Sequence, residues 1–157
     1  MQDIEEYLDK SYGKMYAVAL AHTLSEQPER IPDLLQIIYK EEEPLSRRGA
    51  WYLSTLFDHH PQLIYPYIDE MIAQLERVKT PAIIRALLRT LSKTTLHDNH
   101  HGFLLQYTSE CILSSKSEAA IQLFALDIFF QIAKIQPDLF FELENMIDII
   151  YPEASKG

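Results

Sequence analysis

A unit of about 37 residues recurs along the chain, and this period constrains the fold more than any other feature. The segments His60–Tyr65 and Gln136–Phe141 each carry a proline at the second position, followed by a similar pattern of apolar and polar residues. The two prolines, Pro61 and Pro137, stand 76 residues apart, which is the length of two units. Such periods are typical of stacked helical repeats, which usually build binding surfaces rather than catalytic pockets.

Apolar residues return at helical spacing along almost the whole chain. The spacing predicts an all-α fold with a short leading helix, Asp3–Asp9, and about four helix pairs. These pairs are Lys14–Leu24 with Pro32–Lys40, Ser46–Asp58 with Leu63–Val78, Pro81–Thr95 with Gly102–Ser114, and Glu118–Ile135 with Leu139–Ile150. Because no linker or low-complexity stretch interrupts them, we expect a single domain over residues 1–157.

Four individual residues have predicted roles in these helices. Ser46 and Ser117 are placed to cap the helices that follow them. Trp51 and Leu53 lie on the apolar helix Ser46–Asp58, so both are predicted to pack into the core.

Charge and cysteine content indicate where the protein acts. The net charge of −9, from 23 acidic and 14 basic side chains, opposes binding to nucleic acid and to anionic membranes. The single cysteine, Cys111, cannot form an internal disulfide, which favours a reducing compartment. The segment Met1–Glu6 is acidic where a secretory signal would be basic and then apolar. We therefore expect a cytoplasmic protein without a membrane contact.

Two first helices share a pattern that points to a known family. The segments Pro44–Leu53 and Pro81–Leu88 each begin with proline, place an arginine four residues later (Arg48 and Arg85), and continue with a small residue. This pattern resembles the first helix of a HEAT repeat, as found in HEAT and armadillo-like proteins. The resemblance implies a right-handed α-solenoid and a scaffold role, and it supplies no catalytic residue and no cofactor.

In such solenoids the second helices line the concave side, so their residues outside the core are the candidate contacts for a protein or peptide. They combine tyrosines with acids and amides, a mixture typical of interfaces. The alternative interpretation is a plain solvated helix face. The candidate partner-binding residues are Tyr39, Tyr65, Asp69, Gln106, Glu110 and Phe141.

One helix carries a row of cations, Arg85, Arg89 and Lys93, at positions i, i+4 and i+8. An anion could bind there, as nucleic acid does in the HEAT-like glycosylases of DNA-alkylation repair, which supply the main alternative function. Those enzymes need positive charge on several units, whereas Glu41–Glu43 and Asp69–Glu70 are acidic. A solvated or salt-bridged row is the ordinary interpretation. Arg85 is then expected to be structural, with Arg89 and Lys93 facing solvent.

Histidines supply the second alternative, a metal-dependent enzyme on a histidine-rich edge. His59, His60, His97 and His101 are the weak candidate ligands, and His97 and His101 have an i, i+4 spacing. Histidine is also favoured at helix C-termini by the macrodipole, which explains the cluster without a metal. The chain has no glycine-rich phosphate loop, no nucleophile elbow and no H-E-x-x-H motif. We therefore expect no catalytic residue, no metal and no cofactor.

The C-terminal helices are unusually apolar for the end of a repeat array. Terminal repeats need a polar outer face, yet Phe141 and Ile149 project from the polar side of the last helix. An exposed patch of this kind usually marks an interface, which predicts a homodimer or a partner contact through the last unit. The alternative is a monomer in which Phe141 folds against Tyr151–Pro152.

Overall fold

The computed structural model describes residues 3–152, and within this range the chain forms nine α-helices and no β-strand. The all-α prediction is therefore confirmed. The helices are α1 (Ile4–Lys10), α2 (Lys14–Glu26), α3 (Ile31–Tyr39), α4 (Leu45–His59), α5 (Ile68–Gln74), α6 (Pro81–Ser92), α7 (His101–Leu113), α8 (Ala119–Ala133) and α9 (Leu139–Ile150). Short 3-10 turns occupy Pro28–Arg30, Pro61–Leu63, Tyr65–Tyr67 and Asp98–His100.

The chain divides into two compact units, Met1–Thr90 and Leu91–Gly157, which we call unit 1 and unit 2. Each has a hydrophobic interior of its own. The expectation of one domain over residues 1–157 stays a prediction. None of the helices within residues 3–152 has the length and apolar character needed to cross a membrane.

One predicted helix is much shorter than expected. The sequence predicts a helix over Leu63–Val78, but the structure has two 3-10 turns there, followed by α5 with only 7 residues. Pro66 explains the difference, because it has no N–H to donate and disfavours the helical conformation at Tyr65. Helix α6 is also shorter than predicted, since it ends at Ser92 and not at Thr95.

Helix α4 is the centre of unit 1 and packs against α1, α2 and α3. Its side chains Tyr52, Leu53 and Leu56 are almost completely buried. Gly49 faces α3 so closely that a Cβ atom there would lie 2.9 Å from Cγ1 of Ile38. The absence of a side chain at this position therefore sets the distance between α3 and α4.

Hydrogen bonds from α4 hold the end of α1. Nη1 of Arg48 donates to the carbonyl oxygens of Leu8 and Asp9, each at 2.9 Å. The last carbonyls of a helix have no partner inside the helix, so the guanidinium supplies the missing donors. The Tyr52 hydroxyl donates to the carbonyl of Ser11 at 2.6 Å. The arginine of the sequence pattern thus has a structural role at Arg48.

Three predicted roles in the helices are wrong. Ser46 lies inside α4 and is buried, with no hydrogen-bond partner for its hydroxyl among the described residues. Ser117 does not cap α8, because the residue at the N-cap position is Glu118. Trp51 is 39% exposed instead of buried, and its ring packs edge-to-face against Tyr12 and Tyr52.

Unit 2 is built around α7 and α8, which pack along most of their length, with α9 against both. Its interior contains Ile112, Ala125, Phe129, Leu143 and Met146. These residues come from all three helices, so the unit has a contiguous core of its own.

The contact at Gly49 generates a stability prediction. Gly49→Ala should lower the free energy of unfolding by about 1–3 kcal/mol, because the new methyl group overpacks against Ile38. This is a net effect, since alanine is otherwise favoured in a helix by about 0.5–1 kcal/mol. Urea unfolding monitored by circular dichroism measures the change.

Gly102→Ala is the matched control, because no atom lies within 4 Å of the Cβ position at Gly102 on α7. This variant should be unchanged or slightly more stable than the natural protein. Equal stability of the Gly49→Ala variant and the natural protein would contradict the close approach of α3 and α4.

Candidate binding surface

The second helices of unit 1 are α3 and α5, and they present the predicted contact residues of this unit. Tyr65 is 53% exposed, at the start of the 3-10 turn before α5. Asp69 is exposed in the first turn of α5. Tyr39 is only partly buried at the end of α3, but its hydroxyl oxygen is shielded from solvent and has no hydrogen-bond partner within residues 3–152. Burial, followed by the negative charge of Glu70, raises the pKa of Tyr39, so its hydroxyl stays protonated.

A cleft of about 270 Å³ opens where α3 and α5 end, and we call it the α3–α5 cleft. Its lining is almost entirely polar and comes from both helices and from the turns after them. The lining residues are Gln36, Tyr39, Lys40, Glu41, Gln74, Arg77 and Val78. Its volume is slightly below the usual range for pockets that bind drug-sized molecules. The cleft therefore suits a side chain or a chain terminus of a larger partner.

Glu41 forms one wall of the cleft and has a left-handed backbone conformation, with φ of +57°. It follows the end of α3, at a position where glycine is usual. Its Oε1 accepts hydrogen bonds from the backbone N–H groups of Lys79 and Thr80, each at 2.7 Å. These N–H groups stand at the start of α6, where helix donors lack internal partners. The two hydrogen bonds explain why a glutamate is favourable at a position typical of glycine.

The hydrogen bonds of Glu41 also determine its protonation. Partial burial alone would raise the pKa of the Glu41 carboxyl, but the hydrogen bonds from Thr80 and Lys79 hold the pKa below its ordinary value of 4.5. A carboxyl whose pKa is lowered by folding stabilises the fold above its unfolded pKa. That contribution is lost as the pH falls through the lower, folded pKa.

Glu41→Gln should therefore lower the free energy of unfolding by about 0.5–1 kcal/mol at neutral pH, since a charged acceptor at a helix start is lost. The difference from the natural protein should shrink as the pH falls below 4.5. Urea unfolding at a series of pH values measures it. Glu42→Gln removes an exposed neighbouring carboxylate and serves as the control. A difference that stays constant with pH would contradict the role assigned to Glu41.

The second helices of unit 2 are α7 and α9. Gln106 and Glu110 are exposed one turn apart on α7, joined by a long hydrogen bond of 3.5 Å between Nε2 and Oε1. Phe141, in the first turn of α9, is 69% exposed. Burial, followed by the charge of Glu110, raises the pKa of the nearby Cys111 thiol to about 11. The thiol therefore stays protonated at neutral pH, which does not suit a nucleophile.

Helix α9 also carries an exposed apolar side chain near its end. Ile149 is 66% exposed and lies about two helical turns from Phe141. Phe141 keeps its exposure of 69% although Tyr151 lies on the same chain end, so Tyr151 does not cover Phe141 as the monomer alternative required. The predicted apolar surface on the last helix is thus present in the structure.

A sequence model of the HEAT repeat domain matches residues 4–157, almost the entire chain. The chain belongs to the HEAT repeat family. The membership predicted from the first helices, with Arg48 and Arg85 four residues after a proline, is therefore confirmed. No curated protein and no solved structure matches this HEAT repeat chain.

The structure of this HEAT repeat protein does not leave the row of cations intact. The expectation that Arg89 faces solvent is wrong, because Nη2 of Arg89 lies 2.9 Å from both carboxylate oxygens of Asp58. The guanidinium is also mostly buried. Lys93 is exposed but falls in the turn after α6, so it does not continue the helical row beyond Arg89. Arg85 is exposed on α6.

The histidines of this HEAT repeat protein do not converge on a metal site. Within residues 3–152, no group of three or more His, Cys, Asp or Glu side chains could hold a metal ion. His101 is buried, with Nε2 3.2 Å from the Leu96 carbonyl and Nδ1 3.4 Å from the Gln136 amide nitrogen. A carbonyl only accepts, so Nε2 carries the proton and Nδ1 accepts from Gln136. His101 is therefore a structural link inside unit 2, and its role as a metal ligand stays a prediction.

The remaining candidate ligands also lack a common centre. His97 is exposed at the N-cap of the 3-10 turn Asp98–His100. In unit 1 the rings of His59 and His60 have centroids 6.4 Å apart, as neighbours in sequence at the end of α4. Their positions are those that the helix macrodipole favours for histidine.

Unit 1 carries an aromatic surface that was not predicted from the sequence. Tyr12 is 66% exposed, packs against Trp51, and lies under the guanidinium of Arg48 at 5.1 Å. The helical spacing of Ala50, Leu53 and Phe57 contained the signal, because Trp51 falls outside that apolar stripe. The role of Glu41 had no comparable signal, since its partners are backbone groups 38 and 39 residues away.

Proposed function

We propose that this HEAT repeat protein is a non-catalytic scaffold that binds a protein or peptide through its second helices. HEAT repeats are commonly protein-interaction scaffolds. The proposed contact residues are Tyr39, Tyr65, Asp69, Gln106, Glu110 and Phe141. The observation that carries the proposal is the exposed Tyr65 just before α5, a second helix whose other end lines a polar cleft together with α3.

Tyrosine is well suited to this role because it offers a large contact area, a polar tip and little side-chain entropy to lose. Tyr65 also lies beside Pro66, which restricts its backbone. A side chain that is fixed before binding loses less freedom when a partner arrives. Tyr65 thus has the properties of an interface anchor.

The proposal includes the right-handed α-solenoid of about four helix pairs, with the second helices on its concave side. It also places the protein in the cytoplasm. The single cysteine supports that location, because Cys111 is a free thiol and the chain has no second cysteine with which it could form a disulfide.

Site-specific cross-linking tests the scaffold proposal. A photoreactive phenylalanine analogue at position 65 should give discrete cross-linked species in the native cell. The same analogue at position 22 should not, because His22 is exposed on the first helix α2. Tyr65→Ala should weaken binding to the captured partner by about tenfold or more, as expected for a tyrosine anchor. Equal capture at positions 65 and 22, with unchanged affinity of the variant, would contradict the proposal.

We further propose that unit 2 makes a homodimer or a partner contact through α9. The exposed Phe141 and Ile149 support it, since apolar side chains of this size are normally covered. Sedimentation at micromolar concentration should show a dimer that dissociates in the Phe141→Glu variant. Glu142→Gln, an exposed neighbour on α9, is the control and should leave the dimer intact. A monomer for both the natural protein and Phe141→Glu would remove the dimer.

A further inference from the structure

We propose that the α3–α5 cleft of unit 1 binds a carboxylate of the partner, so that the partner of this surface is an acidic peptide segment. The inference rests on the proposed scaffold function and gives the chemistry of one contact. It derives from the charges, amides and hydrogen bonds that line the cleft.

Two cations of the cleft are available to a ligand. Lys40 and Arg77 are both exposed, and within residues 3–152 neither side chain forms an ion pair or a hydrogen bond. They come from different elements, Lys40 just after α3 and Arg77 in the turn after α5. A guanidinium matches a carboxylate with two parallel hydrogen bonds, and an ammonium adds a compact charge.

The carboxylate that the cleft already contains forms no ion pair with these cations among the described residues. Oε1 of Glu41 accepts from the backbone N–H groups of Lys79 and Thr80. The hydrogen bonds from Thr80 and Lys79, followed by the positive charge of Lys79, are what lowers the pKa of Glu41. The protein thus binds its own carboxylate with backbone donors and leaves the side-chain donors of the cleft to another group.

The neutral lining residues supply further donors. Gln36 on α3 and Gln74 at the end of α5 both line the cleft, and neither side-chain amide has a hydrogen-bond partner among the described residues. Tyr39 also lines the cleft, and its shielded hydroxyl has no hydrogen-bond partner among the described residues.

The charge and the volume of the cleft fit a ligand with a single carboxylate better than they fit a polyanion. The chain has a net charge of −9, which repels nucleic acid over a distance larger than the cleft. The two cations Lys40 and Arg77 and the carboxylate of Glu41 leave the lining with one net positive charge, which one ligand carboxylate balances, whereas a phosphate dianion needs more positive charge. The volume of about 270 Å³ also limits the ligand to a side chain or a chain terminus.

The macrodipole provides a competing explanation for one cation, because it favours a lysine just after the last turn of α3. The experiment must therefore measure binding and not stability alone. The probe is the peptide acetyl-Gly-Glu-Glu-Gly-amide, compared with acetyl-Gly-Gln-Gln-Gly-amide, which has no carboxylate. A third peptide, acetyl-Gly-Gln-Gln-Gly with a free C-terminus, distinguishes a chain terminus from an acidic side chain.

Nitrogen–proton NMR spectra of the labelled full chain report on the cleft directly. The glutamate peptide should shift the side-chain amide signals of Gln36 and Gln74 and the Nε–H signal of Arg77 in a saturable manner. The glutamine amide peptide should not shift them. Shifts caused only by the peptide with the free C-terminus would assign the cleft to a chain terminus. No shift with either acidic probe would overturn the proposal.

Matched variants identify the groups responsible. The double variant Lys40→Gln/Arg77→Gln should bind the glutamate peptide about tenfold or more weakly, since two charge-assisted contacts are lost. Lys14→Gln/Lys116→Gln removes the same net charge from exposed positions outside the cleft and should bind as the natural protein does. Equal weakening in both double variants would show a general charge effect and overturn the cleft site.

The two proposals fail in different ways. A partner that cross-links at position 65 but binds Lys40→Gln/Arg77→Gln with full affinity would retain the scaffold and remove the carboxylate site. Saturable peptide binding at the cleft, without capture at position 65, would retain the carboxylate site and remove the contact at Tyr65.

Discussion

Close contact between α3 and α4 at Gly49 is the constraint on which unit 1 depends. A helix surrounded by three others must present a small residue where a neighbour crosses at short distance. Gly49 does so against Ile38, and the side chains of Leu8 and Leu34 lie just beyond. With α4 held in this position, its remaining large side chains fill the interior on the other sides.

Polar contacts at the helix ends complete the packing that Gly49 permits. Arg48 satisfies the last carbonyls of α1, and Glu41 satisfies backbone N–H groups at the start of α6. Both side chains bind backbone that is about 40 residues distant, or roughly one repeat away. The helix ends of unit 1 are therefore stabilised by side chains from other repeats. Each of these hydrogen bonds forms only when the two repeats are correctly placed against each other.

Most of the helices were predictable because the apolar spacing is strong and prolines mark the breaks. The failures have physical causes. Pro66 shortened α5 because its effect on Tyr65 outweighed the apolar stripe. The apolar periodicity predicts which face of each helix is buried, but it does not predict which side chains of different helices pair. The ion pair of Arg89 with Asp58 was therefore not predicted.

The candidate surface was only partly predictable for the same reason. Tyr65 and Phe141 were identifiable because they stand outside the apolar stripe of a second helix, and both are exposed. The α3–α5 cleft was not, because it requires two turns to meet and Glu41 to adopt a left-handed backbone conformation. Residue type and spacing do not show that these two turns lie close together, since their positions depend on contacts between successive repeats.

The exposed position of Trp51 gives the molecule an internal spectroscopic reporter. It is the chain's single tryptophan and lies in unit 1, between Tyr12 and Tyr52. Its fluorescence therefore follows the environment of unit 1, while the far-ultraviolet dichroism of the helices follows both units. Coincident transitions by the two signals are the mark of all-or-none unfolding, and separate transitions the mark of independent folding units. One aromatic side chain thus makes the cooperativity of the whole chain measurable without any added label.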